Sequence, residues 1–286
     1  MDSIVIKESP IELIFMFTLG TLTLAMLLEA VAPRRQLESS LAWRWVNNFS
    51  LGAITWYTSA AVSLWLVFWI AQWGALHGVG LLRQFSAGPV LGFFVLLVVA
   101  QFLNYWIHYA YHNVSWLWPF HALHHADTDF DVSTSYRNHP LEPLISMPFT
   151  MPLIIMLGVE PASALAYRLF AVFAQVFSHS NIRVPAGLER YLRLVILTPD
   201  YHRVHHCSDE RYTNSNYGSL VPWFDYLFGT AKHRPCEEQE SMELGLEYLR
   251  EPRDNRLDQQ LLLPFKVPSA ARQSSRRAGM VSGTTD

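Results

Sequence analysis

Apolar residues in this 286-residue chain gather into long runs separated by short polar breaks. Ile11 to Val31 is nearly continuous, with Glu12 and Glu29 confined to its ends. Ser50 to Trp73 is a second run and Gly88 to Ile107 a third. Each reaches the roughly 20 residues that cross a hydrocarbon core about 30 Å thick. Two shorter runs follow, Leu144 to Leu157 and Ala162 to Phe177, divided by Gly158 and Pro161. They predict a helical hairpin, fully spanning or re-entrant. The pattern as a whole predicts an all-α integral membrane bundle of three or four spans plus that hairpin.

Composition agrees. Hydrophobic residues make up 51% of the chain and charged residues only 16%, against about 25% charged in an ordinary soluble domain. Net charge is −3 and the basic residues are scattered, which argues against a nucleic-acid partner. Cys207 and Cys236 form neither a disulfide framework nor a C-x-x-C pair, and no repeat of fixed period is present. The N-terminus lacks a basic region and a small-residue cleavage pattern, so the first run is expected to remain as an anchor. Arg34, Arg35 and Arg44 follow that run, whereas Lys7 before it is balanced by Asp2 and Glu8. The positive-inside rule then predicts an external N-terminus and a cytoplasmic 32–49 loop, and threading onward leaves the C-terminus cytoplasmic. Arg168 falls inside the fifth run, where a charge is costly and usually faces a partner or cavity. The segment from Val267 to Asp286, rich in Ser, Arg, Gly and Thr, is expected to be a disordered tail.

Three tight clusters hold most of the chain's twelve histidines. They are His108-x-x-x-His112, His121-x-x-His124-His125 and His202-x-x-His205-His206, with His139 and His179 between the second and third. Residues i, i+3 and i+4 share a helix face, so each cluster can aim two or three imidazoles at one place. Imidazole is the commonest metal ligand, and two adjacent first-row ions would occupy about eight to ten rings. His77 and His233, standing alone, read as ordinary hydrogen-bonded residues. By the arginine topology all three clusters fall on the cytoplasmic side. A divalent-metal transporter would instead spread its ionisable groups through mid-membrane. Zinc suits imidazole, but a zinc hydrolase needs far fewer rings.

The order of these boxes on a hydrophobic chain resembles the fatty acid hydroxylase / sterol desaturase superfamily of membrane di-iron oxidoreductases. So does the sequence between them. Arg137-Asn-His139-Pro140-Leu-Glu142 looks like the family's R-x-H-P-x-E, His179-Ser180-Asn181 like its H-S-N, and Thr198-Pro199 precedes the third box as it does there. Asn216-Tyr217-Gly218 and Asp225-Tyr-Leu-Phe228-Gly229-Thr230 resemble the closing N-Y-G and D-x-x-F-G-T. One departure is Phe224 before Asp225, where Trp is frequent in the family.

The resemblance implies two non-haem irons held by His108, His112, His121, His124, His125, His179, His202, His205 and His206, with His139 as a tenth candidate. Asp127, Asp129, Glu142, Asp200 and Asp225 are candidates to accept from the ligands' second nitrogens. It implies hydroxylation of a lipid C–H bond with O₂, or desaturation at the same site. The chain offers no dinucleotide fingerprint, iron–sulfur cysteine set or haem domain. Electrons are therefore expected from an external ferredoxin-like or cytochrome b5-like chain, and substrate from the bilayer, in this case a bacterial inner membrane. The expected organisation is an anchor region over 1–87, the di-iron domain over 88–235, a cytoplasmic segment over 236–266 and the tail from 267.

Overall fold

The computed structural model describes residues 10–37, 40–85 and 88–266. The expected tail beyond residue 266 lies outside them. Every named element among the described residues is helical. The long ones are α1 (Pro10–Val31) and α2 (Leu41–Leu76); after the short α3 (Leu81–Gln84) come α4 (Pro89–Asn113), α6 (Leu141–Leu157) and α7 (Pro161–Ser178). Between α4 and α6 lie α5 (Trp118–His125) and a 3₁₀ turn, η1 (Val132–Tyr136). After α7 come α8 (Ala186–Leu192), α9 (Pro199–His205), α10 (Glu210–Thr213) and α11 (Trp223–Phe228). Two 3₁₀ turns, η2 (Cys236–Gln239) and η3 (Pro252–Asn255), lead to α12 (Leu257–Leu261) and α13 (Leu263–Lys266).

Prolines and one glycine set these boundaries. Pro89 and Pro161 open α4 and α7 at positions where the missing N–H has no partner to lose. Gly158 closes α6 in the left-handed region at φ 62°, so the chain reverses into α7 within a few residues. Inside α6, Pro148 and Pro152 each remove a main-chain donor, and Ser146 and Thr150 hydroxyls bond carbonyls one turn back.

The long helices pack in the order α1, α7, α4, α6, α2. Leu97 of α4 and Ala174 of α7 meet beside Ile196 and Leu220, and Leu96 of α4 packs on Leu157 of α6. Gly92 of α4 lets Ser163 of α7 approach closely enough to donate to Pro89 O at 2.8 Å. The outward faces are apolar: Phe15, Leu24 and Leu27 on α1 and Val90, Phe94 and Val98 on α4 are exposed. Among the described residues α1 and α4 are long and apolar enough to cross a membrane, each with a mean hydropathy of 2.1. The 36 residues of α2 would extend about 54 Å at 1.5 Å per residue, more than a hydrocarbon core needs. The expected hairpin is α6–α7, and α6 at 17 residues is the shorter apolar member.

One end of this bundle carries the histidines. There the C-termini of α1, α4 and α7 meet the N-termini of α2 and α6, and α5, η1 and α9 are laid across them. Buried ion pairs hold the layer down. Arg44 of α2 reaches Asp127 with Nε and Nη2, at 3.0 and 2.9 Å, and Asp131 with Nη1 at 2.9 Å. Arg34 meets Asp200 at 3.3 Å, and Glu29 of α1 accepts from the Val132 and Asn181 amides at 2.8 and 2.6 Å. Arg34 and Arg44 are thus buried partners of box-flanking carboxylates, so tertiary ion pairing places them at this end. Arg168 stands exposed on α7.

Candidate metal centre

α5 begins at Trp118-Pro119 and α9 at Pro199, where the Thr198 hydroxyl accepts from the Tyr201 amide at 3.3 Å. These starts place the second box on α5 and the third on α9, with His206 as the residue that caps α9. The C-terminal turns of α4 and the residue after α7 complete the set. The imidazoles sort into two groups, each with its ligating atoms within 4.8 Å of one another. His108, His112, His121, His125 and His205 form the first, and His124, His179, His202 and His206 the second.

The sorting has a helical cause. In the second box the i, i+4 pair His121 and His125 serves the first group, and His124 turns to the other. The third box does the reverse: His202 and His206 serve the second group, and His205 crosses to the first. Each adjacent His-His pair therefore bridges the two groups. The His124–His125 and His205–His206 ring centres both lie 5.5 Å apart.

Hydrogen bonds fix which nitrogen faces inward. His108 Nδ1 lies 2.8 Å from Tyr217 O and His205 Nδ1 2.6 Å from Ser215 O. His121 Nδ1 lies 2.9 Å from Glu142 Oε1, and His179 Nδ1 2.9 Å from Gln175 O. Carbonyls and carboxylates only accept, so each of these Nδ1 atoms carries the proton and Nε2 is left with a lone pair. Yet His108 Nε2 stands 2.9 Å from His121 Nε2 and 3.1 Å from His205 Nε2. Two lone pairs cannot bond each other; they repel unless a cation lies between. With metal–nitrogen bonds of about 2.1 Å, cis ligands stand about 3.0 Å apart, which matches these separations. In the second group His179 Nε2 lies 3.2 Å from His124 Nε2 and 3.0 Å from His202 Nε2. His112 and His206 are buried with neither ring nitrogen bonded, a cost a bound cation would remove. The residues fit a pair of metal ions.

Electrostatics favour the ligating form. Burial, reinforced by the neighbouring imidazoles, holds His124, His125, His202 and His206 well below the ordinary histidine range. Burial lowers His179 to about 4 and His205 to about 3, although the Gln175 and Ser215 carbonyls oppose it. Neutral rings are the ones that bind metal.

Of the expected ligands, His139 is in neither group. Its Nδ1 accepts from the Leu141 amide and its Nε2 donates to Leu261 O, both at 3.2 Å, which ties α12 to the start of α6. Of the five carboxylates, Glu142 meets a ligand ring directly, through His121 Nδ1. Asp225 accepts from the Tyr217 and Gly218 amides and the Thr230 hydroxyl at 2.7, 2.9 and 2.8 Å. It thereby holds the Tyr217 carbonyl on His108. Burial raises Asp225 to about 6 against those donors. Asn216, at φ 53°, clasps Tyr201 O and Lys232 O with its amide. The N-Y-G and D-x-x-F-G-T segments are thus two halves of one clamp. Burial would raise Asp127, but Arg44 and Arg137 draw it down to about 2. Asp200 accepts from Arg203 at 2.6 Å, and Asp129 is buried.

Sequence reasoning missed the rings that close over the groups. Phe130 stacks on His179 at 5.8 Å and meets His206 at 5.0 Å, while Trp118 lies 4.9 Å from His112 and 5.5 Å from His125. Only the helix-starting position of Trp118 beside the second box hinted at it. Cys207 follows His206 but packs with Phe130, Met242 and Leu244, outside both groups.

The sequence model of the fatty acid hydroxylase family matches residues 93–230. Human alkylglycerol monooxygenase is 32% identical over 131 residues, 46% of this chain and 28% of that protein. An ornithine lipid hydroxylase of Rhizobium tropici is 30% identical over 183 residues, 64% of this chain and 50% of its own length. A very-long-chain aldehyde decarbonylase of Oryza sativa subsp. indica is 28% identical over 162 residues, 54% of this chain and 24% of that one. The chain thus spans half or less of these relatives. No solved structure gives a significant match.

Proposed function

Because the segment 93–230 belongs to the fatty acid hydroxylase family, we propose that this membrane protein is a di-iron oxidoreductase that hydroxylates a C–H bond of a lipid with O₂. The observation that carries the reading is the convergence of Nε2 lone pairs, their tautomers set from outside, in two adjoining all-imidazole groups. His108, His112, His121, His125 and His205 would hold one iron, and His124, His179, His202 and His206 the other. When bound, an iron pair supplies the redox chemistry by which O₂ attacks an unactivated C–H bond.

The chain's own residues do the rest. Glu142 and the Tyr217, Ser215 and Gln175 acceptors keep the protons on the outer nitrogens and hold each ring in orientation. Phe130, Trp118 and Tyr217 wall the groups with aromatic surface and exclude water. Because the histidine end adjoins the exposed apolar faces of α1 and α4, the substrate is a lipid delivered from the bilayer. Two electrons per turnover come from a separate carrier. The histidine end faces the cytoplasm in this reading, with α1 and α4 spanning and α2 and the α6–α7 hairpin completing the bundle.

Iron analysis and labelled dioxygen test the proposal together. Purified protein from iron-replete cells should carry two irons per chain, and turnover with reductant and lipid should place one ¹⁸O atom in the product. An unlabelled alkene would replace hydroxylation by desaturation. One zinc and no iron, or turnover without O₂, would end the di-iron reading.

A further inference from the structure

The two histidine groups are buried, and electrons must still reach them from water. Two chains of aromatic rings lead outward from the five-histidine group. One runs from His205 and His108 through Tyr217 to Tyr109 and Trp106, with steps of 5.2 to 6.1 Å. It ends among Phe102, Trp106 and Phe228, whose exposed surface is apolar and continuous with the outer face of α4. That is lipid-facing surface, unsuited to a water-soluble partner.

The other chain is shorter and ends differently. Trp118 touches His112 and His125, with ring centres at 4.9 and 5.5 Å, and its indole Nε1 donates to the Tyr248 hydroxyl at 2.7 Å. Tyr248 is half-buried, next to an open polar depression lined by Ser208, Asp209, Glu210, Arg211, Glu243, Glu247 and Arg250. Its arginines are matched within the rim, Arg211 to Asp209 and Arg250 to Glu243. Glu210 and Glu247 therefore give the rim its net negative charge, and both act on the Tyr248 phenol. A tryptophan and a tyrosine bonded to each other, one on two ligand rings and the other next in sequence to a glutamate that lines the depression, form a bridge of polarisable rings.

We propose that Trp118 and Tyr248 carry electrons into the metal centre, and that the Glu210–Glu247 rim docks a soluble one-electron carrier protein with a basic contact face. The inference rests on the di-iron reading above. Each carrier, an iron–sulfur or haem protein in its reduced form, gives up one electron and leaves oxidised. Two encounters supply one turnover, in which O₂, a C–H bond, two electrons and two protons become C–OH and water. The rings couple donor to acceptor and are not themselves consumed. Charge complementarity at the rim would speed the encounter and make it weaken with salt.

The test uses iron-loaded protein in nanodiscs, with a ruthenium polypyridyl photoreductant on Glu247→Cys. Flash reduction of the ferric centre is followed by its absorbance, without substrate. Trp118→Leu should slow it about tenfold or more, equivalent to about 1.4 kcal/mol on the barrier. Tyr248→Phe should slow it less, and Trp106→Leu, on the lipid-side chain, should leave it unchanged. Dithionite, which needs no fixed port, should reduce wild type and variants alike at equal iron content. If Trp118→Leu fails to hold iron, Trp118→Phe, which keeps a ring but loses the bond to Tyr248, takes its place with a smaller slowing expected. A Trp118 variant with full iron and a wild-type flash rate would overturn the route, as would equal slowing by Trp106→Leu. Wild-type protein that takes up no iron would overturn the di-iron reading itself, and the route with it.

Discussion

Replacing Glu142 by alanine strikes one histidine group and spares the other. Glu142 stands at the start of α6 and accepts from His121 Nδ1 at 2.9 Å. His121 belongs to the five-ring group, and the other carboxylate oxygen, Oε2, is buried without a hydrogen-bond partner. Removing it leaves a buried N–H without an acceptor, at about 1–3 kcal/mol, and frees the ring to turn. Loss of such a partner typically weakens metal affinity about 10- to 100-fold, or about 1.4–2.7 kcal/mol, so the two estimates agree. Glu142→Gln keeps an acceptor oxygen but loses the charge, and its effect should stay within about tenfold. The assay is anaerobic competition of Fe(II)-loaded protein against a graded chelator, with metal counted at each step. One iron should dissociate about 10- to 100-fold more readily while the other shifts little, and helical content and melting should stay near wild type. Equal weakening of both irons, or no change in either, would refute the assignment of Glu142 to a single group.

Metal-free protein should lose stability in mild acid. His179 and His205 titrate near 4 and 3 when folded and near 6.5 when unfolded, so the unfolded chain binds more protons between those values. Their contribution is complete above about pH 6.5 and drains away as pH falls from there through the folded values, on the order of 3 kcal/mol for His179 and about 5 kcal/mol for His205; melting of chelator-treated protein against pH measures it. Arg44→Ala leaves Asp127 and Asp131 buried without their cation and should cost about 3–5 kcal/mol. Because those carboxylates can take protons in acid, the loss in melting temperature should shrink as pH falls. Gly218→Ala places a Cβ 2.5 Å from Val221 O and 2.8 Å from Asp225 Oδ2. It should cost about 1–3 kcal/mol and weaken the five-histidine group through Tyr217, read by the same chelator competition.

What the sequence made legible was local. Apolar runs end where Pro10, Pro89, Gly158 and Pro161 force the backbone to change, so α1, α4 and the α6–α7 hairpin appear within a few residues of their bounds. The i, i+3, i+4 spacing of the boxes likewise reports helix geometry. What stayed hidden depends on contacts between distant residues. Arg44 and Asp127 are 83 positions apart and Arg34 and Glu240 206 apart, so three arginines that look like free loop charges include two buried ion-pair partners. His139 has the residue type of a ligand, but the chain returning through Leu261 takes up one of its nitrogens and the start of α6 the other. Glu142 could not be singled out from four other nearby carboxylates, because only folding decides which one faces an imidazole.

The division of each adjacent His-His pair between the two groups constrains how such a sequence can change over time. Neighbouring residues on a helix differ by about 100° in direction. Inserting or deleting one residue between His121 and His124, or between His202 and His205, would turn part of a box by that angle and exchange the rings owed to each centre. A substitution removes one imidazole, but a shift of frame within a box spoils both centres together. Length variation in this lineage should therefore collect between the boxes and at the chain's ends, while the boxes themselves keep their count of residues even where every letter between the histidines is free to drift.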